Sequence, residues 1–136
     1  MLRIIPPLLN EMVAHCQSRY PKEACGYLAG KDGLVQQVYA MTNVEDSPVG
    51  YTMDPKEQLQ VDKQMRQRVQ QLVGIYHSHT ASAAYPSSVD VSLAISPDVS
   101  YVLVSLKDRQ RPDVKSYRIH GTTITPEPVS IEPAPQ

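Results

Sequence analysis

Leu72-Val73-Gly74-Ile75-Tyr76 runs without a break into His77-Ser78-His79. A continuous apolar run of this length, with no polar alternation, is the pattern of a strand buried on both faces, the kind that lies inside a helix-covered sheet. In an extended chain residues i and i+2 point to the same side, so both imidazoles at the strand's end face one spot and Ser78 faces the other way. Two imidazoles on one spot suit a metal. Ser87-Ser88-Val89-Asp90 starts a short helix predicted over 88–95, and the intervening loop is long enough to bring the Asp90 carboxylate back to the strand end. Two His and one carboxylate leave one position of a tetrahedral zinc open for water, as catalytic zinc sites do. Each part taken singly also has a plain structural reading: histidines at a strand end are ordinary polar residues, and Ser-X-X-Asp is a capping motif.

Outward from this centre the chain alternates helices and strands. Leu8, Leu9, Met12, Val13 and Cys16 recur at helical spacing after Pro6 and Pro7, and that helix should stop near Tyr20 and Pro21. Small-residue strand Ala24–Gly30 and the run from Leu34 to Met41 flank Asp32-Gly33, a hairpin signal. Residues 42–50 (TNVEDSPVG) read as an exposed loop before a short extended piece, Tyr51-Thr52-Met53. Asp54-Pro55 opens a long amphipathic helix with Leu59, Met65, Val69 and Leu72 on its apolar side. Strands follow at Tyr101–Leu106 and Val114–His120. The expected fold is one α/β domain over residues 1–124, a mixed sheet flanked by helices, with a Pro-rich extended tail at 125–136.

Composition removes several classes. The 136 residues carry 13 Lys plus Arg against 14 Asp plus Glu, with no dense basic run, so a nucleic-acid partner is not expected. No apolar run is long enough for a membrane span, and Pro6, Pro7, Asn10 and Glu11 interrupt the start, so a membrane partner is not expected and a cytoplasmic location is. Cys16 and Cys25 fit reduced thiols that pack as small hydrophobes, and with no further cysteines a zinc finger is excluded. All eight aromatic residues are Tyr, which leaves an aliphatic core.

The run His77-Ser78-His79, seven residues, Ser87, two residues, Asp90 resembles the His-X-His-X7-Ser-X2-Asp signature of the JAMM or MPN-plus (Mov34/MPN/PAD-1) metalloproteases. Pro21–Gly30, Tyr51–Pro55, Val73–Tyr76 and Tyr101–Leu106 also resemble family segments, so the likeness spans about residues 8–120. The resemblance implies an MPN, cytidine-deaminase-like architecture with a curved sheet, and Zn2+ held by His77, His79 and Asp90 with water as fourth ligand. It further implies Glu23 as general acid/base and Ser87 as a hydrogen-bond donor to the oxyanion. Spacing alone does not choose Glu23 over Glu11, Glu45 or Glu57. Thr80 stands where many members have Pro directly after the second His.

The family cleaves peptide or isopeptide bonds at the C-terminus of ubiquitin or ubiquitin-like proteins. A minimal domain with Glu23-Ala24-Cys25-Gly26 near its start, and few residues between Asp90 and Tyr101, resembles the prokaryotic branch. The implied partner is then a ubiquitin-like sulfur-carrier protein ending in Gly-Gly, whose tail would pair with Tyr51–Met53 beside a loop expected to be mobile. Two other readings are a non-catalytic MPN-like adaptor and a zinc hydrolase of small peptides or amides. The oligomeric state is not indicated.

Overall fold

A computed structural model describes residues 1–133. Strands β1 (Leu2–Ile4), β2 (Cys25–Lys31), β3 (Leu34–Met41), β4 (Gln71–His79), β5 (Ser100–Ser105), β6 (Asp113–His120), β7 (Thr123–Glu127) and β8 (Val129–Ile131) form one mixed sheet. Helices are α1 (Pro6–Arg19), α2 (Pro55–Gln67) and α3 (Ser88–Ser92). The order across the sheet is β7-β6-β5-β4-β2-β3-β1-β8. Its two edge strands, β7 and β8, are consecutive in the chain and separated by Pro128 alone, so the sheet is curved and nearly closed.

Local chemistry accounts for the element ends. Pro6 and Pro55 occupy first-turn positions where a missing N–H costs nothing. Asp54 caps α2 by accepting from Lys56 N at 2.9 Å. Asp32 and Gly33 both have positive φ (54° and 78°), the conformation a two-residue hairpin turn needs to match strand twist.

The sheet is covered on both faces. Under α1, Met12 and Cys16 pack with Leu28, Val38, Tyr76, Val102 and Val104. On the opposite face α2 lays Val61 and Met65 against Tyr27, Tyr39, Ile75 and Tyr101. Along β4 the register skips at Val73: Leu28 pairs with Gly74 and Ala29 with Leu72. After that irregularity Ile75 faces the α2 side and Tyr76 the α1 side, and by alternation His77 and His79 follow Ile75 while Ser78 follows Tyr76. The whole ligand-bearing end of the strand is buried.

Three expectations need correction. The tail expected from Thr125 is structured as far as Ile131, because β7 extends the hairpin from β6 and β8 pairs in parallel with β1; the tail's residues 134–136 lie outside the described residues. Strand β1 was not foreseen, since three residues before a Pro-Pro pair carry no periodicity. The buried side of α2 is Val61 and Met65, whereas Leu59 and Val69 are 72% and 81% exposed; the helix ends at Gln67, and Val69 sits in the turn beyond it.

Candidate metal centre

Strand β4 ends with both imidazoles on one face, as alternation requires. His77 Nε2 and His79 Nε2 lie 3.2 Å apart. Asp90 completes the group, Oδ1 standing 3.1 Å from His77 Nε2 and Oδ2 3.0 Å from His79 Nε2. The carboxylate arrives there through the cap of α3: Asp90 N donates to Ser87 Oγ (3.1 Å) and Ser87 N donates to Asp90 Oδ2 (2.8 Å). The capping and ligating readings of Ser87-X-X-Asp90 are therefore one arrangement, in which the backbone cap aims the carboxylate.

The donor set fits a zinc ion. The two Nε2 atoms stand 3.2 Å apart and each lies about 3 Å from one oxygen of the Asp90 carboxylate, close to the roughly 3.3–3.4 Å that separates ligands at about 2.0–2.1 Å from a tetrahedral zinc. Ala83 O can only accept, so its 3.0 Å contact with His79 Nδ1 puts the proton there and leaves Nε2 a lone pair. A ring lone pair from His79, a second imidazole nitrogen and a carboxylate meeting at such distances suit a cation between them. Burial lowers the His77 pKa. At His79 burial also opposes the charge, but Asp90 and the Ala83 carbonyl outweigh it and raise the pKa. Burial opposes ionised Asp90 as well, yet the two imidazoles against it and the Ser87 backbone N–H hold its carboxyl well below the usual range.

Glu23 precedes β2, and the pairing of Cys25 with His77 sets this segment beside the strand end. Ser78 fastens it from the opposite face: Ser78 N donates to Ala24 O (3.0 Å), and Ala24 N donates to Ser78 Oγ (2.8 Å). The Glu23 side chain is buried but opens on a groove that it shares with His79, Ser87 and Asp90. Burial pushes its carboxyl up to about 7, poised to exchange a proton near neutrality. Thus Glu23, His79, Ser87 and Asp90 line one groove, and His77 meets His79 and Asp90 at the ligand group.

Two residues stand beside them: Tyr51, expected only as part of the piece that pairs with a substrate tail, and Asn43, which was not foreseen. Tyr51 stacks its ring on His77 at 4.6 Å. Asn43, read as part of an exposed loop, is buried and uses its whole amide: Nδ2 donates to Glu23 O (3.1 Å) and Gly50 O (3.0 Å), and Oδ1 accepts from Glu45 N (3.1 Å) and Thr52 N (3.0 Å). The loop expected to be mobile is also tied by Glu23 N to Ser47 O (2.8 Å) and by the Thr80 hydroxyl to Pro48 O (2.9 Å). Thr80, in place of the usual Pro, thereby joins the second histidine's strand to the lip of the groove. A turn-rich composition around Asn43 signals a loop, but it does not signal which amide lies at its centre.

The profile of the family described as prokaryotic homologs of the JAB domain matches residues 6–120. The chain belongs to this family. This JAB domain is 47% identical over 133 residues to a CysO-cysteine peptidase of Mycobacterium tuberculosis, covering 96% of this chain and 91% of the relative. It is 36% identical over 88 residues to a desampylase of Pyrococcus furiosus, covering 65% and 63%. Among solved structures, a protein from Desulfitobacterium hafniense superimposes with a TM-score of 0.89 at 36% identity, covering 98% of this chain and 94% of that one. A structure described as a JAMM metalloprotease-like zinc site in the proteasome and signalosome gives 0.63 at 16% identity, covering 97% and 98%, a likeness of fold. The resemblance read from the sequence and the curved α/β sheet it implied are borne out. Among the described residues, no helix of this JAB domain is long and apolar enough to cross a membrane.

Proposed function

We propose that this JAB domain is a zinc-dependent peptidase that cleaves after the C-terminal Gly-Gly of a ubiquitin-like sulfur-carrier protein, releasing the residue or short extension beyond it. The chain is a peptidase of the JAMM class. The observation that carries the finer reading is the meeting of the His77, His79 and Asp90 donor atoms at one end of the groove that Glu23 and Ser87 border. Relatives described as CysO-cysteine peptidase and desampylase support a ubiquitin-like substrate.

His77, His79 and Asp90 would hold zinc, which supplies a Lewis acid and lowers the pKa of water toward roughly 7. Glu23 takes a proton from the attacking water as the C–O bond forms at the Gly carbonyl, and gives it to the amine as the C–N bond breaks. Water is consumed and a carboxylate and an amine result. Ser87 keeps its hydroxyl proton for donation, because its oxygen only accepts from Asp90 N, and that proton serves the developing oxyanion. The segment Tyr51–Met53, pinned by Asn43, borders the groove at Tyr51 and Thr52 and offers extended backbone to a substrate tail, whose glycines permit close approach.

Metal content and carrier processing test this together. Purified protein should hold about one zinc per chain and His77→Ala should lose it. Mass spectrometry should show a zinc-dependent mass loss from a carrier extended beyond Gly-Gly. Absence of zinc binding under metal-replete conditions would rule the mechanism out; zinc binding without cleavage of any Gly-Gly-ended carrier would favour an adaptor.

A further inference from the structure

Two cavities meet at the ligand group. The groove with Glu23 and Ser87 has a volume of about 930 Å³. A second cavity of about 220 Å³ also reaches His77 and Asp90 but touches neither Glu23 nor Ser87. Tyr51, Thr52, Asp90 and Leu93 border both, so the Tyr51 ring stacked on His77 forms part of the partition.

The smaller cavity has an apolar interior. Met53, Ile75, Leu103 and Ile119 line it and are themselves buried, while Leu93 and Ile95 line it and are 56% and 72% exposed, which places them at its mouth. Two of the three tyrosine hydroxyls on its wall are already engaged: Tyr27 accepts from Gln58 Nε2 (3.2 Å), and Tyr101 accepts from Ile95 N and Ser96 N (both 2.9 Å) and donates to Ser96 O (2.8 Å). Tyr101 thereby fixes the turn that carries Ile95. Asp90 is the one charged residue among those that line it, and both its oxygens face the histidines.

Its volume lies below the roughly 300–1,000 Å³ of pockets that take whole small ligands, and suits one side chain. Gly-Gly has no side chain to place there. Resting on the peptidase reading, we infer that this pocket receives the side chain of the residue released from the carrier, and that it selects an uncharged apolar side chain up to the size of leucine or methionine. A carboxylate or ammonium entering this mostly apolar interior would lose more hydration than the few polar groups on its wall return. A bare thiol-bearing methylene would leave much of it unfilled, so the pocket admits residues larger than cysteine.

Carriers extended beyond Gly-Gly by one Leu, Met, Asp or Lys test the pocket with the zinc-loaded protein. Leu and Met should exceed Asp and Lys in kcat/KM by roughly 10²-fold. Ile95→Glu, at an exposed position that does not threaten folding, should shift the ratio toward Lys. Independently of turnover, leucinamide added to the metal-free protein should move the methyl NMR signals of Ile75, Ile95, Leu103 and Ile119, and lysinamide should not. Selective methyl shifts with no carrier cleaved would uphold the pocket and count against the peptidase reading. Equal rates for the four carriers, an unchanged ratio in Ile95→Glu, or methyls indifferent to leucinamide would overturn the pocket.

Discussion

Replacing Glu23 by Gln separates proton transfer from metal binding, because the amide fills the same space and cannot take a proton. Turnover should fall roughly 10²–10⁴-fold with zinc content unchanged, as measured by steady-state rates beside metal analysis. The titration of this carboxyl gives a second check. Burial raises it to about 7 in the metal-free protein, so it carries its proton below that pH and becomes a base above it. A cation at the neighbouring triad favours the carboxylate, and adding zinc should therefore move the Glu23 NMR midpoint downward; an upward move would be incompatible with the proposed site. At this scale the sequence is partly legible. His77 and His79 converge through strand alternation, and Asp90 through a helix cap, both of them local rules. Glu23 reaches them through the pairing of Cys25 with His77, a contact between distant parts of the chain that no local spacing encodes; only the family resemblance picked it out.

At the scale of elements, the segment from Asn43 to Met53 owes its shape to one amide. Asn43→Ala removes four hydrogen bonds and strands Glu45 N and Thr52 N, which should cost about 2–4 kcal/mol in chemical denaturation. The same change frees the Glu23 backbone and the groove's lip together, so kcat should fall and KM should rise. An intact KM would mean that the lip does not hold substrate. Helices α1 and α2 were legible at their starts because Pro6 and Asp54-Pro55 are local signals. The buried side of α2 was legible only at Met65, since Leu59 and Val69 look apolar in sequence but stand exposed while Val61 turns inward with Met65. Strands β7 and β8 were hidden by the prolines around them, which read as a tail until the sheet supplies partners.

For the molecule as a whole, Glu127 joins three strands. Ser100 and Ser116 hydroxyls donate to its Oε1, and Arg118 Nε donates to Oε2 at 3.0 Å. Burial opposes the charge, but these donors outweigh it and hold the pKa down at about 2. A carboxyl depressed on folding contributes stability above its ordinary value near 4.5, and that contribution is lost as pH falls toward 2. The wild type should therefore lose stability over this window more steeply than Glu127→Gln, with thermal melts at several pH values as the measure; parallel curves would deny Glu127 the role. Ending the chain after Glu127 makes a separate test, because it strips β8 from β1. The shortened protein should scatter light increasingly with concentration where the full chain does not. The reason lies in Pro128, at which the two margins of the sheet run into one another. With its margins so nearly joined the sheet leaves its neighbours little backbone to stitch onto, and a substrate tail is left the short extended piece at Tyr51–Met53, away from either hem.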